Sequence, residues 1–169
     1  TLALSRAVGE FGLKKEDFRA VIDGMEMDAQ PSIRIADMAE LTLYCDRVAC
    51  AVGRLSVRVF GLDDDTGLSL AHAQGQALQL TNILRDIDED AGRDRLYVPR
   101  VLLVAHGILS DDLDSILSHP AFEKVWFGDA EPAALAGERF QTTAPVSETI
   151  ILGLLIVLGH VNLNALPAF

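Results

Sequence analysis

Four side chains that carry oxygen atoms lie at helical spacing between Gln79 and Asp90. At about 100° per residue they fall within an arc of roughly 80° on one helix face, and they are Gln79, Asn82, Asp86 and Asp90. Apolar residues flank this oxygen column, whereas Arg85 falls on the far side of the helix. A carboxylate is costly to bury without a partner, and a hard cation suits ligands that are all oxygen atoms. The oxygen column therefore predicts a magnesium site, and a merely solvated acidic face is the alternative.

The oxygen column belongs to a chain with helical periodicity over most of its length. Apolar positions recur at helical spacing, and no β-alternation of useful length appears before residue 120. The predicted fold class is therefore all-α. The predicted helices cover residues 1–11, a segment from 15 to Pro31, residues 32–60, 68–90 and 100–106, and a segment capped by Ser110 with Asp111 that reaches residue 118.

The composition restricts the classes of partner that the chain can bind. Its 169 residues carry a formal net charge of -11, and half of them are hydrophobic. This length suits one domain with a real core. Nucleic acid is not expected as a partner, because phosphate backbones are held by clustered Lys and Arg, and the sequence has no such cluster. A phosphorylated small molecule remains compatible with the acidity if metal ions supply the opposing charge.

The two cysteines and the end of the sequence bear on location. Cys45 and Cys50 have no His or Cys neighbours at metal-ligand spacing, so we expect reduced, packed thiols and a cytoplasmic protein. Ile150 to Gly159 is a nearly continuous apolar run, too short for a bilayer span of about 20 residues. A buried terminal helix, a tail that touches a membrane surface, and an altered or artificial terminus are the three alternatives for this run.

Two segments together resemble the squalene and phytoene synthase family, whose members condense prenyl diphosphates head to head. Residues Tyr44 to Gly53, YCDRVACAVG, are similar to the family helix Tyr-Cys-x-x-Val-Ala-x-x-Val-Gly. Residues Gln79 to Pro99 are similar to its second aspartate-rich motif with a trailing Arg-x-Tyr-x-Pro. The segment Gly24 to Asp28 further resembles the bacterial branch that makes presqualene diphosphate in hopanoid pathways.

The resemblance covers about two thirds of the chain and implies its architecture. Residues 1–118 would form part of an isoprenoid-synthase-type helical bundle with a central substrate cavity. Residues 119–169 would be a divergent C-terminal segment, either in the same domain or as a poorly packed tail. The resemblance implies no particular oligomeric state.

The resemblance also implies roles for single residues. Arg85 and Arg95 would contact a diphosphate, and Tyr44 matches a family tyrosine implicated in proton handling or in steadying cationic intermediates. Mg²⁺ bridging to the diphosphate would be bound by Asn82, Asp86 and Asp90, with Gln79 beside them. The tunnel for the prenyl chains would be lined by Val48, Ala49, Val52 and Gly53.

The implied activity is Mg²⁺-dependent condensation of two farnesyl diphosphates to presqualene diphosphate, with Tyr44, Asp86 and Asp90 as catalytic residues. Phytoene synthase, which uses geranylgeranyl diphosphate, is the alternative within the family. We predict no nicotinamide-dependent reduction, because no glycine-rich turn lies between a strand and a helix. A peripheral membrane contact would suit the lipid product.

One departure from the family pattern produces a further expectation. The family's first aspartate-rich motif should precede Gly24 by several tens of residues, and the sequence starts too late to contain it. Asp23 and Asp28 lie about 140° apart around a helix and cannot replace it. The expectation is an N-terminally truncated product whose activity is impaired. A non-catalytic helical remnant or an assembly partner is the alternative from another class.

Overall fold

The computed structural model describes residues 2–62 and 65–127. Within them the chain is mostly helical, which confirms the predicted all-α class. The elements in chain order are α1 (Leu2–Glu10), α2 (Lys15–Asp28), β1 (Ile33–Arg34), α3 (Met38–Cys45), a π-helical turn (Asp46–Cys50), α4 (Ala51–Val59), α5 (Asp65–Arg85), α6 (Ile87–Ala91), β2 (Arg95–Leu96), α7 (Arg100–Ala105), α8 (Leu113–Leu117) and α9 (Phe122–Phe127).

A short pair of parallel strands corrects the start of the helix predicted over residues 32–60. β1 pairs with β2 in the register Ile33 to Arg95 and Arg34 to Leu96. Ile33 and Ile35 are both buried, and alternate buried residues follow the period of a strand. The prediction is wrong here because two-residue strands are too short to show alternation in a sequence.

α3 begins only at Met38 because Asp37 caps its N-terminal end. The Oδ1 atom of Asp37 accepts a hydrogen bond from the Glu40 backbone N–H at 2.9 Å. In return, Oε2 of Glu40 accepts from the backbone N–H of Ala36 at 2.7 Å. Such bonds satisfy donors that the first turn of a helix otherwise leaves free.

The segment from Tyr44 to Gly53 lies on one continuous helical rod made of α3, the π-helical turn and α4. The backbone stays helical at both junctions, with φ −59° and ψ −38° at Cys45 and φ −65° and ψ −35° at Cys50. A π-helical turn is rare, and such turns are frequent at functional sites. Here it begins two residues after Tyr44.

α5 packs very closely against this rod. A methyl group added at Gly53 would lie 3.0 Å from the carbonyl oxygen of Ala71, and one added at Gly75 would lie 2.7 Å from Cα of Cys50. The small residues of the rod and of α5 therefore let the two helix backbones approach each other. Cys45 and Cys50 are free and buried, as predicted.

α5 ends at Arg85, whereas the sequence predicts one helix through Asp90. Asp86 leaves the helical conformation, with φ −101° and ψ 12°, and α6 starts after it. The change of direction occurs between Ile83, which belongs to one core cluster, and Ile87, which packs against another. The turn at Asp86 lets Ile83 pack in one cluster and Ile87 against the other. The periodicity of apolar residues does not predict such a turn.

Two hydrophobic clusters form the core of the described residues. The first cluster contains Ile33, Ile35, Leu41, Tyr44, Cys45, Ile83 and Tyr97. The second cluster contains Leu96, Val98, Leu103, Ile108, Ile116, Phe122 and Val125. Leu96 and Tyr97 are adjacent in sequence, so β2 and the residue after it tie the clusters together. Because Phe122 and Val125 belong to the second cluster, α9 packs with the elements before residue 118.

α7 and α8 follow the sequence prediction closely, with one corrected cap, whereas α9 was not predicted. α7 ends near Gly107, as predicted, where φ is +77°. α8 is capped by Asp112 and not by Ser110 with Asp111, since Oδ2 of Asp112 accepts from the Ser115 N–H at 2.9 Å. Each helix in the described ranges is too short or too polar to cross a membrane. The apolar run of residues 150–159 lies outside those ranges.

Candidate functional site

A polar cavity of about 240 Å³ opens beside the C-terminal end of α5. Several separate elements contribute to its walls. Its lining residues are Asp28 of α2, Tyr44 of α3, Gln79, Asn82, Ile83 and Arg85 of α5, Asp86, Asp90 of α6, and Arg95 and Tyr97 from β2 onward. The whole oxygen column thus meets the predicted tyrosine and both predicted arginines at one cavity. Asp28 and Tyr97 are polar residues at this site to which the sequence interpretation assigns no role.

The oxygen column keeps its spacing through the break in the helix. The N–H of Asp86 donates to the carbonyl of Asn82 at 2.9 Å, and the N–H of Asp90 donates to the carbonyl of Asp86 at 2.8 Å. Each bond spans four residues, as in an α-helix. The column therefore lines the cavity even though two helices and a turn supply it.

Arg85 lines the cavity and binds the carboxylate of its neighbour Asp86. The prediction that it lies on the far side of the helix is wrong. Its Nε donates to Oδ1 at 2.7 Å and its Nη2 donates to Oδ2 at 2.6 Å. The bond to this guanidinium holds the pKa of Asp86 below its usual range. The break at Asp86 explains the difference, because Arg85 is the last residue of α5.

Asp90 lies in a different electrostatic environment. Burial, followed by the negative charge of Asp86, raises the pKa of the Asp90 carboxyl group. Like charges at a partly buried site are costly unless a cation balances them. The possible metal-ligand atoms of the oxygen column are carboxylate and amide oxygens, which fit a hard divalent cation rather than a thiophilic one.

Two stacked tyrosines also line the cavity. The rings of Tyr44 and Tyr97 lie with centroids 4.8 Å apart and an interplanar angle of 28°. Both hydroxyls donate to Oδ1 of Asp28, at 3.0 Å from Tyr44 and 2.9 Å from Tyr97. Burial is the largest cause that raises the pKa of Tyr44, and it raises the pKa of Tyr97 to about 12. Both phenols are therefore neutral near pH 7.

Arg95 lines the cavity and carries one buried hydrogen-bond donor without a partner among the described residues. Its Nη2 donates to the backbone carbonyl of Asp28, the last residue of α2, at 2.9 Å. Its Nε is buried and has no hydrogen-bond partner in the described part of the chain. A buried donor without an acceptor costs free energy, and a ligand oxygen can satisfy it. Arg95 is thus suited to an anionic ligand.

The predicted tunnel residues lie elsewhere on the rod. Val48 is half-buried against the first core cluster, and the side chain of Val52 is 45% exposed. Gly53 lies against Ala71, and Ala49 is half-buried. These four residues do not line the described cavity, so their contact with a prenyl chain remains a prediction.

A second group of metal-ligand side chains lies on the rod and α5. Ligand atoms of Asp46, Cys50 and His72 lie within 4.8 Å of one another. Arg54 already donates to both carboxylate oxygens of Asp46, at 2.6 and 3.1 Å. Burial also raises the pKa of Cys50, so its thiol keeps the proton that a metal would displace. Because the Asp46 carboxylate is already paired and the Cys50 thiol is protonated, these three side chains are not arranged to bind a metal ion.

The helical fold and a cavity lined by carboxylate and amide oxygens, two arginines and a pair of stacked tyrosines define a helical protein of the isoprenoid-synthase type. The chain belongs to the squalene/phytoene synthase family, whose model matches residues 1–149. The crystal structure of squalene synthase HpnC from Alicyclobacillus acidocaldarius is similar with a TM-score of 0.67 and 26% identity, covering 93% of this chain and 63% of that one.

Curated relatives agree with this membership. Presqualene diphosphate synthase of Sinorhizobium fredii is 61% identical over 118 residues, which are 70% of this chain and 42% of that protein. Phytoene synthase 1 of Solanum lycopersicum is 41% identical over 117 residues, which are 66% of this chain and 28% of that protein. The chain thus spans about two fifths of the length of the bacterial relatives.

Proposed function

We propose that the protein carrying this chain is a Mg²⁺-dependent prenyltransferase that condenses two farnesyl diphosphates to presqualene diphosphate. The cavity itself is the observation that carries the proposal, because it joins oxygen ligands, an unpaired arginine donor and paired tyrosines. Bacterial presqualene diphosphate synthases at 57 to 61% identity support farnesyl diphosphate over the longer substrate of phytoene synthases. Those plant enzymes are 40 to 43% identical to this chain.

The oxygen column would hold the metal in this proposal. Asn82, Asp86 and Asp90 would be its ligands, with Gln79 beside them. When bound, Mg²⁺ supplies charge neutralisation to the departing diphosphate. Arg95 would bind a diphosphate oxygen through its free Nε, and Arg85, at the same wall, would share its guanidinium between Asp86 and the diphosphate.

The tyrosine pair would protect and stabilise the allylic cation that diphosphate departure creates. The faces of aromatic rings attract cations, and a neutral phenol is a poor nucleophile that does not quench them. Tyr44 and Tyr97 are 3% and 5% exposed, so they also keep bulk water away from this wall. Tyr44 would assist the proton loss that closes the cyclopropane ring of the product.

The product's chemistry supports the remaining parts of the proposal. A long-chain lipid diphosphate favours a membrane surface, so we propose a cytoplasmic protein that contacts the membrane peripherally. Prenyl chains need an apolar path, and we propose that its lining includes Val48, Ala49, Val52 and Gly53.

A product assay with each substrate tests the proposal. The protein carrying this chain is given Mg²⁺ with farnesyl diphosphate or with geranylgeranyl diphosphate, and the products are separated by chromatography. We expect presqualene diphosphate from the shorter substrate. A condensation product from geranylgeranyl diphosphate alone would favour phytoene synthase. Absence of any product, with no Mg²⁺-dependent heat of diphosphate binding, would favour a non-catalytic protein.

A further inference from the structure

Asp28 is a cavity residue whose position is unusually well determined. Its Oδ1 accepts hydrogen bonds from Tyr44 and Tyr97, and its backbone carbonyl accepts one from Arg95. Arg95 places a cation at the C-terminal end of α2, where the helix dipole favours positive charge. A methyl group at Gly24, one turn earlier, would lie 2.8 Å from Cγ1 of Val48, so α2 has little room to shift.

These bonds determine what the two hydroxyls can do in the cavity. An ionised carboxylate accepts hydrogen bonds but cannot donate them, so each tyrosine gives its single O–H proton to Asp28. The lone pairs of both phenolic oxygens then remain available. Toward a ligand in the cavity, Tyr44 and Tyr97 can act only as acceptors or as electron-rich dipole ends.

We propose, on the basis of the proposed function, that Asp28 is a positioning residue that acts through Tyr44. It holds the Tyr44 oxygen as an acceptor and receives the hydroxyl proton when the ring of presqualene diphosphate closes. In that step a C–H bond of the cationic intermediate breaks, and its electron pair forms the ring C–C bond. The carbon-bound proton moves to Oη of Tyr44 as the Tyr44 hydroxyl proton moves to Oδ1 of Asp28. No external oxidant or base is consumed.

The electrostatics of Tyr44 agree with this hand-over. Burial, the neighbouring Tyr97 hydroxyl and the charge of Asp28 all raise the pKa of Tyr44. The deprotonated form of Tyr44 is therefore costly to form at this position. A coupled transfer never forms it, because Tyr44 is a neutral phenol before and after the step. The negative charge of Asp28 is neutralised in the same step.

The test replaces Asp28 by Asn in the protein that carries this chain. Asn keeps the size and one acceptor oxygen but is not a base. With farnesyl diphosphate and Mg²⁺ we expect kcat for presqualene diphosphate to fall about 100-fold, as for a lost acid–base group, while KM changes little. The ratio of diphosphate released to presqualene diphosphate formed should rise, because cations that cannot lose a proton are quenched by water. Asp28→Glu, which restores a carboxylate, should recover part of the rate.

Glu26→Gln is the matched control, because Glu26 is an exposed carboxylate on the same helix; it should behave like the wild type. If Asp28→Asn does not fold, Tyr44→Phe carries the test, since it keeps the ring and should raise the same ratio. An active wild type whose ratio and kcat are unchanged in these variants would overturn the role of Asp28 alone. A wild type that releases no presqualene diphosphate would overturn the proposed function, and with it this role.

Discussion

At the scale of single residues, the positive charge of Arg85 partly neutralises the negative charge of Asp86 in the oxygen column. Both carboxylate oxygens of Asp86 accept from Arg85, and the two side chains remain partly exposed. A divalent cation that binds Asp86 must therefore compete with a guanidinium. In the proposed function this pair would lower the affinity for metal, and the same guanidinium would contact the diphosphate.

We predict that Arg85→Ala binds Mg²⁺ alone more tightly and a diphosphate more weakly. An exposed ion pair is worth about 0.2–1 kcal/mol, so the gain in metal affinity should be about 1.5- to 5-fold. Calorimetric titration with Mg²⁺ and then with inorganic diphosphate measures both. Arg6→Ala is the control, because Arg6 pairs with the exposed Glu10 at 4.0 Å on α1 and does not line the cavity. Weaker Mg²⁺ binding by Arg85→Ala would contradict this competition.

The buried thiol of Cys45 gives a pH dependence with a definite sign. Burial raises the pKa of Cys45 from 9.0 to about 12, so above pH 9 the unfolded chain releases a proton that the folded chain retains. The free energy of unfolding should therefore fall between about pH 9 and pH 12, by at most about 1.4 kcal/mol per pH unit for this group. Urea unfolding across this range measures it. Cys45→Ala should show a shallower decline, and an identical decline would contradict the assignment.

Sequence spacing predicted the oxygen column and the family resemblance predicted Tyr44, but neither assigned a role to Asp28. The column is local, since its members follow one another on consecutive turns. The Asp28 carboxylate instead accepts hydrogen bonds from hydroxyls of residues that are 16 and 69 positions away in the sequence. No periodicity encodes such contacts, although the family-like segment ending at Asp28 was a signal that could have directed attention to it.

At the scale of elements, the close crossing of α5 with the rod holds the site together. Gly75 faces Cys50 at the π-helical turn, next to the segment that carries Tyr44. A methyl group there would meet backbone atoms of Cys50 at 2.7 and 2.8 Å. Backbone cannot move aside as a flexible side chain can, so this crossing depends on glycine.

We predict that Gly75→Ala lowers the free energy of unfolding by about 1–3 kcal/mol, the usual cost of overpacking. Gly9→Ala is a matched helical control, because nothing lies within 4 Å of a methyl group at that position. The control should be neutral or stabilising by up to about 1 kcal/mol through helix propensity. Thermal or urea unfolding compares the variants, and equal stability of both with the wild type would show that the crossing tolerates a wider separation.

The helices were largely predictable and the interruptions were not. Apolar residues on α2 and α7 follow the 3.6-residue period that a single buried face requires, and Gly12 and Gly107 mark ends with φ of +58° and +77°. β1 and the turn at Asp86 depend on where distant elements lie. The strand needs β2, and the turn needs two separate core clusters.

At the scale of the whole molecule, the cavity lies where the two core clusters meet. Tyr97 belongs to the first cluster and adjacent Leu96 to the second. The oxygen column passes from α5 to α6 at the same junction, between Ile83 and Ile87. The fold thus places the oxygen column, Arg95 and the two tyrosines on elements that the core fixes relative to one another.

The central claim is that Asp86 binds the metal that activates the diphosphate. The measurement that tests it most directly is Mg²⁺-dependent formation of presqualene diphosphate by Asp86→Asn, compared with Asp88→Asn in the same protein. Asp88 is exposed, lies two residues away and does not line the cavity. We predict that Asp86→Asn loses at least about 100-fold in rate, as expected when several kcal/mol of metal-dependent stabilisation are removed, while Asp88→Asn retains the wild-type rate. A wild-type rate in Asp86→Asn would contradict the account.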